Sequence, residues 1–421
     1  MRILVVGGGG REHAIVWALK KSEKVKEVFC APGNAGIAQL AEIVPIAVNQ
    51  FDELIQFAKD ASIDLVFVGP DDPLADGIVD AFEAAGIVAY GPRKNAAEIE
   101  GSKIFMKNLL KKYDIPTAKY ETFTDYESAS AYLREQSAPI VIKADGLAAG
   151  KGVTVAATIE EAEQALREMM VDKVFGQAGS QIVIEECLVG QEMSILAFVD
   201  GETVRAMVPA QDHKPIFDGD KGPNTGGMGT YTPLPHIDQA IIDESIQNII
   251  IPTAKAMVSE GRPFRGVLFA GLMITKDGPK TIEFNARMGD PETQVVLPRL
   301  QTDLIDIVLA SLNGNLDQLD IQWSEEAAVC VVVASEGYPA TYPKGRVISG
   351  LAEAEAQGAL VFHAGTAEKD GQFVTNGGRV LGIVGRGRDI AEARARAYEA
   401  VSVIDFEGKQ NRTDIAAKAL I

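Results

Sequence analysis

The sequence predicts a multidomain α/β protein whose first domain is a doubly wound parallel sheet. A chain of 421 residues is too long for one hydrophobic core and predicts about two to four domains. Within the first hundred residues, predicted strands alternate with predicted helices: the strands lie at 3–6, 25–30, 65–68 and 87–90, the helices at 11–20, 52–60 and 74–85. Such alternation is typical of parallel sheets that bind ligands at the carboxyl ends of their strands.

The rest of the chain divides into three further predicted units. A helix at 103–113 leads into a small unit with strands at 140–143, 153–156 and 181–185 and a helix at 159–170. A larger unit has strands at 193–199, 204–210, 267–274 and 279–284 and long helices at 239–259 and 291–312. The last unit is a small α/β domain with strands at 329–333, 361–363 and 380–384 and a helix at 390–402. The expected domains are 1–101, a central domain at 102–119 and 187–323, a small domain at 120–186, and a C-terminal domain at 324–421.

Composition and charge restrict the class of partner and the compartment. The formal net charge of −19 argues against a nucleic-acid partner, which needs a surplus of Lys and Arg, but it permits small phosphorylated ligands. The three cysteines are far apart and form no C-x-x-C pair, so a reducing compartment is expected. The chain opens on a strand without a leader, and no apolar stretch approaches the roughly 18 residues of a membrane span. We therefore expect a cytoplasmic protein without a membrane partner.

A run of four glycines ends at the start of the first predicted helix, where phosphates meet helix N-termini. It does not fit a dinucleotide fingerprint, because the third glycine of the motif falls on Glu12 or His13 and no acid closes the second strand. Arg11 would face the positive end of the helix dipole unless an anion joined them. The segment therefore predicts a site for one phosphate monoester, with a simple tight turn as the alternative.

A second glycine-rich segment, residues 144–152, joins two predicted strands. It is not a P-loop, because the glycine spacing is one residue short and Gly152 stands where Ser or Thr would hold magnesium. Lys143 lies at its base and Lys151 near its tip. The pattern predicts a flap over residues 146–152 that closes on a triphosphate, although a surface hairpin with a solvated lysine is the alternative.

Residues 281–292 carry the strongest signal for a metal-bound nucleotide. Glu283 and Asn285 lie two apart on a predicted strand, so both side chains project from one face. Carboxylate and amide oxygens are ligands that magnesium takes when it bridges nucleotide phosphates. Arg287 continues that face and would neutralise a transferred phosphoryl group. A structural ion pair between Glu283 and Arg287 is the alternative explanation.

Two polar segments complete the predicted site. Residues 185–192 follow the last strand of the small unit and offer backbone groups to adenine, with Glu192 within reach of ribose hydroxyls. Residues 211–229 form a long polar loop that supplies acids for a substrate ammonium and glycines for close backbone approach. Long loops without secondary structure in compact domains are usually functional.

Together these motifs resemble the ATP-grasp superfamily and, within it, the glycinamide ribonucleotide synthetases, or phosphoribosylamine–glycine ligases. The resemblance covers essentially the whole chain. It rests on residues 8–14 (GGGREHA), 32–36 (PGNAG), 143–153, 211–214 (QDHK), 222–229 (GPNTGGMG), 289–292 (GDPE), 337–339 (GYP) and 362–366 (FHAGT). The sequence departs from the family at Met288, where the family has Phe, at Asp71, where it has Glu, and at Pro215, where it has Arg. The Met288 change should be tolerated, because it exchanges apolar bulk.

The resemblance implies an ATP-grasp fold, with residues 120–186 as a lid on the central domain and the N-terminal domain binding substrate. It also implies the ligation of glycine to 5-phosphoribosylamine, which gives glycinamide ribonucleotide, ADP and phosphate through glycyl phosphate in purine biosynthesis. The implied cofactors are ATP and Mg²⁺ or Mn²⁺, and the protein is expected to be a monomer. Another ATP-grasp ligase or carboxylase and a nicotinamide-dependent oxidoreductase are the alternatives.

The resemblance and the motifs assign the site residues by role. The predicted catalytic residues are Lys143, Asp212 and Arg287, and the predicted metal ligands are Glu283 and Asn285. The predicted ATP-binding residues are Lys103, Lys143, Gly150, Lys151, Gly152, Glu185, Glu186, Leu188 and Glu192. The predicted substrate-binding residues are Gly9, Arg11, Glu12, Asn34, Asp212, Asn224, Thr225, Gly226, Asp290 and Glu292.

Overall fold

The N-terminal residues form the parallel sheet that the sequence predicts, with five strands in the order β3–β2–β1–β4–β5. The computed structural model describes residues 1–146 and 152–420. The strands are β1 (Arg2–Gly7), β2 (Glu27–Pro32), β3 (Glu42–Ile43), β4 (Leu65–Val68) and β5 (Ala89–Tyr90), and the helices are α1 (Gly10–Leu19), α2 (Phe51–Asp60), α3 (Asp71–Asp76), α4 (Ile78–Ala84) and α5 (Lys94–Gly101). The strand order reverses at β1, so the glycine run after β1 lies at the position where such sheets bind ligands.

The lid is a four-stranded antiparallel sheet with its own apolar core. After α6 (Lys103–Lys112) come β6 (Tyr120–Phe123), α7 (Tyr126–Arg134), β7 (Ile140–Ala144), β8 (Val153–Ala156), α8 (Ile159–Met170) and β9 (Ile182–Glu186), in the sheet order β6–β9–β7–β8. The pairing of Lys143 with Val153 brings the two ends of the glycine-rich segment together. Gly150 and Lys151 lie outside the described residues, so most of the predicted flap does too.

The central sheet is antiparallel and has the order β11–β10–β16–β17. The elements from the lid onward are β10 (Gln191–Asp200), β11 (Thr203–Ala206), β12 (Gln211–Asp212), β13 (Pro215–Phe217), β14 (Lys221–Asn224), β15 (Gly229–Thr232), α9 (Gln239–Ser245), α10 (Ile251–Ser259), β16 (Arg265–Thr275) and β17 (Gly278–Asn285). The segment 211–229 is therefore not the structureless loop that the sequence predicts. It forms two short antiparallel pairs, β13 with β14 and β12 with β15.

The C-terminal sheet contains strands from two distant parts of the chain. Its elements are α11 (Thr293–Val296), α12 (Leu304–Leu312), β18 (Ala327–Ser335), α13 (Leu351–Ala356), β19 (Leu360–His363), β20 (Thr366–Lys369), β21 (Gln372–Thr375), β22 (Arg379–Gly387), α14 (Ile390–Val403) and β23 (Lys409–Gln410), of which α11 and α12 lead into the sheet, while β20 and β21 form a separate pair. The order β12–β15–β18–β22–β19, with β23 beside β18, joins the 211–232 segment to this sheet. The polar segment is thus held by the C-terminal unit.

Two predicted long helices are interrupted. The helix predicted at 74–85 begins earlier and is divided into α3 and α4 by Gly77, whose φ of +96° belongs to the left-handed region that ends helices. The helix predicted at 291–312 is divided into α11, a 3₁₀ turn at Leu297–Arg299, and α12. Asp303 caps α12 by accepting the backbone N–H of Ile305 at 3.0 Å. The helix predicted at 239–259 continues from α9 to α10 through a π-helical turn.

Asn34 and two buried histidines join the N-terminal and C-terminal units. Asn34 Nδ2 donates to the carbonyl oxygens of Gly8 at 2.9 Å and His363 at 2.8 Å, while its Oδ1 accepts two backbone N–H groups of its own loop. The His363 backbone N–H donates to His13 Nδ1 at 2.8 Å. Asn34 therefore has both of its amide protons and its carbonyl oxygen in protein contacts. Its assignment to substrate stays a prediction.

Acid should weaken this contact between the two units. Burial, and then the neighbouring His363, lowers the pKa of His13 to about 3, and burial lowers the pKa of His363 to about 4. Below the ordinary histidine pKa of 6.5, the unfolded chain gains protons that the folded protein excludes. As the pH is lowered below 6.5, the free energy of unfolding should therefore fall by up to about 1.4 kcal/mol per pH unit for each histidine.

Urea unfolding of the wild type and of His363→Gln between pH 4 and 7 measures this effect. The variant should lose part of the pH slope, whereas His236→Gln, which removes a half-buried histidine elsewhere, should change it less. Parallel pH profiles for His363→Gln and the wild type would contradict the assignment.

Candidate functional site

Two lysines share one buried carboxylate where the lid meets the central sheet. Lys143, near the end of β7, pairs with Glu185 and donates to the carbonyl oxygen of Ile282 at 3.3 Å. Lys107, a fully buried residue of α6, pairs with the same carboxylate and donates to Thr117 Oγ1 at 2.7 Å. The predicted Lys143 therefore lies beside β17, the strand that carries the predicted metal ligands. Lys107, which was not predicted, joins the same ion-pair cluster. A lysine with helical spacing from Lys103 was the available signal.

The base of the glycine-rich segment is fastened to the start of α6. Lys103 Nζ donates to the carbonyl oxygen of Gly146 at 2.8 Å. Asp145 accepts the hydroxyl of Ser102 at 3.1 Å and the backbone N–H of Ile104 at 3.0 Å. Burial lowers the pKa of Lys103, and the nearby positive charge of Lys143 lowers it further, against the opposing effect of Glu283. The ammonium group of Lys103, which is predicted to bind ATP, therefore lies at Gly146, the first residue of the predicted flap.

Glu283 lies among positive charges near the end of β17. Burial alone would raise the pKa of this carboxyl, but the surrounding cations hold it below its ordinary value; they are Lys214, Lys143, Lys103 and Arg287. Glu283 makes no ion pair shorter than 4 Å with any residue that the structure describes. The oxygen of the second predicted ligand, Asn285 Oδ1, accepts a hydrogen bond from Arg287 Nη2 at 3.2 Å. One carboxylate cannot neutralise four cations. The excess positive charge suits the binding of phosphates.

Arg287 pairs with a glutamate that the sequence analysis missed. Its Nη2 lies 2.7 Å from Glu100 Oε1, and Glu100 Oε2 accepts the backbone N–H of Ala286 at 2.7 Å. Burial raises the pKa of Glu100 to about 7, although Arg287 opposes the shift. The structural pair between Glu283 and Arg287, considered as the alternative, is therefore replaced by a pair with α5. No pattern in the sequence connects α5 to β17.

Lys214 stands at the centre of an acidic cluster. Its Nζ lies 3.4 Å from Glu192. Burial alone would lower the pKa of Lys214, but four carboxylates raise it well above its ordinary value; they belong to Glu192, Asp212, Glu283 and Glu292. Four predicted site residues are thus brought to one ammonium group, which the sequence analysis had not singled out. The available signal was the two-residue spacing from Asp212, which is typical of one strand face.

Two acids of this cluster, Asp212 and Glu292, have raised pKa values. Burial raises the pKa of Asp212, and the negative charge of Glu292 adds to the shift, while Lys214 opposes it. Burial also raises the pKa of Glu292, whose carboxylate accepts the hydroxyl of Ser194 at 3.4 Å. Neighbouring carboxylates of this kind share protons, and perturbed acids in a cleft are candidates for binding an ammonium or moving a proton.

In the glycine run after β1, the neighbouring Glu12 accepts hydrogen bonds from the backbone and from Arg11. Glu12 Oε2 accepts the backbone N–H of Gly9 at 2.7 Å, and Glu12 Oε1 accepts Arg11 Nε at 2.6 Å. Arg11 also donates to the carbonyl oxygen of Met288, and its backbone N–H reaches Asp290 Oδ2 at 3.3 Å. The protein therefore supplies the anion that the sequence argument required beside Arg11. In the structure Glu12 is a capping residue of α1, and its assignment to substrate stays a prediction.

Some of the remaining predicted site residues form hydrogen bonds within the protein, and others are exposed. Thr225 Oγ1 donates to the carbonyl oxygen of Lys214 at 2.7 Å and accepts the backbone N–H of Gly227 at 2.9 Å, whereas Asn224 is exposed. Glu186 Oε1 accepts the N–H of Lys119 at 3.0 Å. The side chains of Glu185 and Glu186 thus both contact protein, and the backbone N–H of Glu186 donates to the carbonyl oxygen of Lys119 at 2.9 Å. Leu188 is half-buried beside them, and Gly152 follows the undescribed part of the flap.

The three departures from the family fall in distinct environments. Met288 is buried and packs in an apolar cluster that includes Phe269, as expected for an exchange of apolar bulk. Pro215 opens β13, and its carbonyl oxygen accepts Arg412 Nη1 at 3.1 Å. Asp71 opens α3, and its charge raises the pKa of Glu100.

The donor set fits a magnesium-bound nucleotide. Glu283 and Asn285 offer hard oxygen ligands, and the cations around them suit phosphates. The Nε of Arg287 is buried and has no partner in the described part of the chain. No group of three His, Cys, Asp or Glu side chains at residues 1–146 and 152–420 can hold a metal alone. The remaining ligands would therefore come from phosphates and water.

Comparison with known proteins agrees with this arrangement over nearly the whole chain. Sequence patterns described as phosphoribosylglycinamide synthetase match in three parts: the N domain at residues 1–100, the ATP-grasp (A) domain at 101–293 and the C domain at 328–418. A curated phosphoribosylamine–glycine ligase from Halalkalibacterium halodurans is 52% identical over 420 residues, which cover 100% of this chain and 97% of the relative. No helix in the described ranges is long and apolar enough to cross a membrane.

Solved structures give the same result. The crystal structure of a phosphoribosylamine–glycine ligase from Thermotoga maritima is similar with a TM-score of 0.87 and 36% identity, covering 99% of this chain and 100% of that one. The biotin carboxylase domain of a 2-oxoglutarate carboxylase from Hydrogenobacter thermophilus, solved with MgADP and bicarbonate, shares the fold alone, with a TM-score of 0.73, 16% identity, and coverage of 97% and 91%. The chain belongs to the phosphoribosylglycinamide synthetase family.

Proposed function

We propose that this chain catalyses the ATP-dependent ligation of glycine to 5-phosphoribosylamine, giving glycinamide ribonucleotide, ADP and phosphate in purine biosynthesis. The substrate assignment follows the names of relatives that match the chain over its whole length. The observation that carries the chemistry is the charge around Glu283: its carboxylate is stabilised both by Lys103 and Lys143, which we assign to the nucleotide, and by Lys214 of the acidic cluster. ATP and substrate would therefore meet at one strand.

The reaction needs activation because a carboxylate is anionic and would have to expel oxide. A carboxylate oxygen of glycine attacks the γ-phosphorus of ATP, and ADP leaves. The amine nitrogen of phosphoribosylamine then attacks the carbonyl carbon of glycyl phosphate, phosphate leaves with one former glycine oxygen, and the nitrogen loses a proton. The protein's contribution is positioning, charge neutralisation and exclusion of water.

The nucleotide side of the site is assigned as follows. Lys103, Lys143 and Arg287 neutralise phosphoryl charge, and the backbone at residues 185–188 together with Glu192 binds adenosine. Enzymes of the ATP-grasp superfamily use ATP with a divalent metal ion. Magnesium held by Glu283 and Asn285 would withdraw charge from the phosphates, and manganese fits the same oxygens. The flap around Gly150 and Lys151 is proposed to cover the triphosphate.

The acceptor side of the site uses the acidic cluster. Asp212 and Glu292 are proposed to bind the glycine ammonium, and the carboxyl that is ionised accepts the proton lost by the attacking amine. Asp290, Arg11 and Gly9 are proposed to line the end that receives the phosphoribosyl group, with Asn224, Thr225 and Gly226 opposite. Glu12 and Asn34 support this end through the contacts described above.

ADP release tests the proposal directly. The protein is supplied with ATP, magnesium and freshly generated phosphoribosylamine, and each common amino acid, or bicarbonate, is added in turn. Glycine alone should support turnover. Comparable turnover with alanine, or ADP release that depends on bicarbonate instead of an amino acid, would contradict the assignment.

The protein is proposed to work as a cytoplasmic monomer. Its three cysteines are all unpaired, as expected in a reducing compartment. Sedimentation equilibrium of the active protein tests the oligomeric state, and a dimer at assay concentration would contradict it.

A further inference from the structure

Arg379, the first residue of β22, contacts two segments of the proposed acceptor site. Its Nη1 lies 2.7 Å from the carbonyl oxygen of Gly226, 3.3 Å from that of Gly227 and 2.8 Å from that of Asp290. Its Nη2 lies 3.5 Å from Asp290 Oδ1. One guanidinium from the C-terminal sheet thus bridges the Gly226–Gly227 segment and the turn at Asp290, which follows β17.

The packing around this guanidinium leaves no space for side chains. A Cβ atom at Gly226 would lie 2.9 Å from Arg379 Cζ. A Cβ atom at Gly227 would lie 2.5 Å from Pro291 Cδ, and the φ of +115° at Gly227 is strained for any other residue. The two glycines are therefore required for the approach of the segment to Arg379 and to the turn.

A second C-terminal residue, Tyr338, contacts the backbone N–H of the same glycine. The backbone N–H of Gly226 donates to the hydroxyl of Tyr338 at 3.1 Å. The turn is fixed in the same way on its far side, because Asp290 accepts Gln294 Nε2 at 2.8 Å and the backbone N–H of Arg11 at 3.3 Å. Arg379 is the link between these two sets of contacts.

We infer that Arg379 is a positioning residue that locks the Gly226–Gly227 segment onto the Asp290 turn and thereby sets the geometry of the acceptor site. The inference rests on the proposed function. The residues next to the two joined segments support the inference. Thr225, which precedes Gly226, donates to the carbonyl oxygen of Lys214, and Glu292 follows Asp290 by two residues. Both segments that Arg379 joins are therefore connected to the acidic cluster. Lysine cannot replace this contact fully, because one ammonium cannot reproduce the planar fork of a guanidinium.

The test compares Arg379→Ala and Arg379→Lys with wild type in the full chain. For Arg379→Ala, kcat/KM for phosphoribosylamine should fall on the order of 10²-fold, as expected for a misplacement near 1 Å, while the Kd for ATP stays within about twofold. Arg379→Lys should show an intermediate loss. Arg388→Ala is the matched control, because Arg388 is exposed and pairs only with Glu392 among the described residues.

Hydrogen exchange supplies a readout that does not depend on activity. The backbone amides of Gly226 and Gly227 should exchange faster in Arg379→Ala than in wild type and be unchanged in Arg388→Ala. Unchanged kcat/KM in Arg379→Ala, or a loss matched by weaker ATP binding, would overturn the inference. If the wild type releases no ADP with glycine, the proposed function fails, and unchanged exchange at both glycines would then overturn the positioning role as well.

Discussion

Replacing Glu283 with glutamine is expected to lower kcat by on the order of 10²- to 10³-fold while changing the Kd for ATP by less than about threefold. The substitution keeps the shape of the side chain and removes the negative charge that faces four cations. A metal held by two neutral amides would be bound weakly and would not position the phosphates. The adenosine contacts proposed at residues 185–192 do not involve this carboxylate, so binding of the nucleotide should survive. Steady-state kinetics and a direct ATP titration measure the two effects.

Glu244→Gln provides the matched control for this prediction. Glu244 is an exposed residue of α9, so its substitution removes the same charge without altering the site. Its kinetics should equal those of the wild type. If Glu283→Gln weakens ATP binding but leaves the maximal rate unchanged, the metal assignment is wrong.

Replacing Lys214 with methionine should damage both activity and stability. Methionine keeps most of the apolar stem but removes the charge that four carboxylates surround. The Lys214 side chain is 32% exposed and that of its partner Glu192 is 42% exposed, so solvent makes the loss of stability smaller than for a fully buried ion pair. The acids left behind should bind protons more strongly. We expect kcat/KM for glycine to fall on the order of 10²-fold, since Asp212 and Glu292 would be displaced or neutralised. Urea unfolding and glycine saturation curves measure the two losses.

The pH dependence of the Lys214→Met variant distinguishes charge from packing. Because the variant lacks the cation, its acids should ionise at higher pH, and its stability should fall relative to wild type as the pH rises. Lys214→Arg should restore part of the activity, and Lys221→Met, which removes an exposed lysine of β14, should have no effect. A stability difference that is independent of pH would contradict the electrostatic role.

The local patterns of the sequence predicted most of the helices and strands. The alternation in the first hundred residues identified the parallel sheet, and the spacing of Glu283 and Asn285 put both residues on one strand, β17, where Glu283 lies among cations. These features depend on periodicity within one element. Gly77 interrupted a predicted helix because its left-handed conformation ends the helical pattern while the apolar spacing continues.

Features formed between distant segments could not be predicted. No periodicity within one element connects Glu100 to Arg287, and nothing in the 211–232 segment indicates that it pairs with β18. The assignment of Asn34 and Glu12 to substrate stays a prediction. In the structure their side chains form hydrogen bonds with backbone groups of the protein itself.

The fate of the glycine oxygens tests the central claim, that this chain activates glycine as an acyl phosphate before amide formation. Glycine labelled with ¹⁸O in both carboxylate oxygens is supplied with ATP, magnesium and phosphoribosylamine, and the inorganic phosphate is analysed by mass spectrometry. One labelled oxygen should appear in phosphate for each glycinamide ribonucleotide formed, because the oxygen that attacks the γ-phosphorus leaves with it. Product formation with unlabelled phosphate would contradict the account.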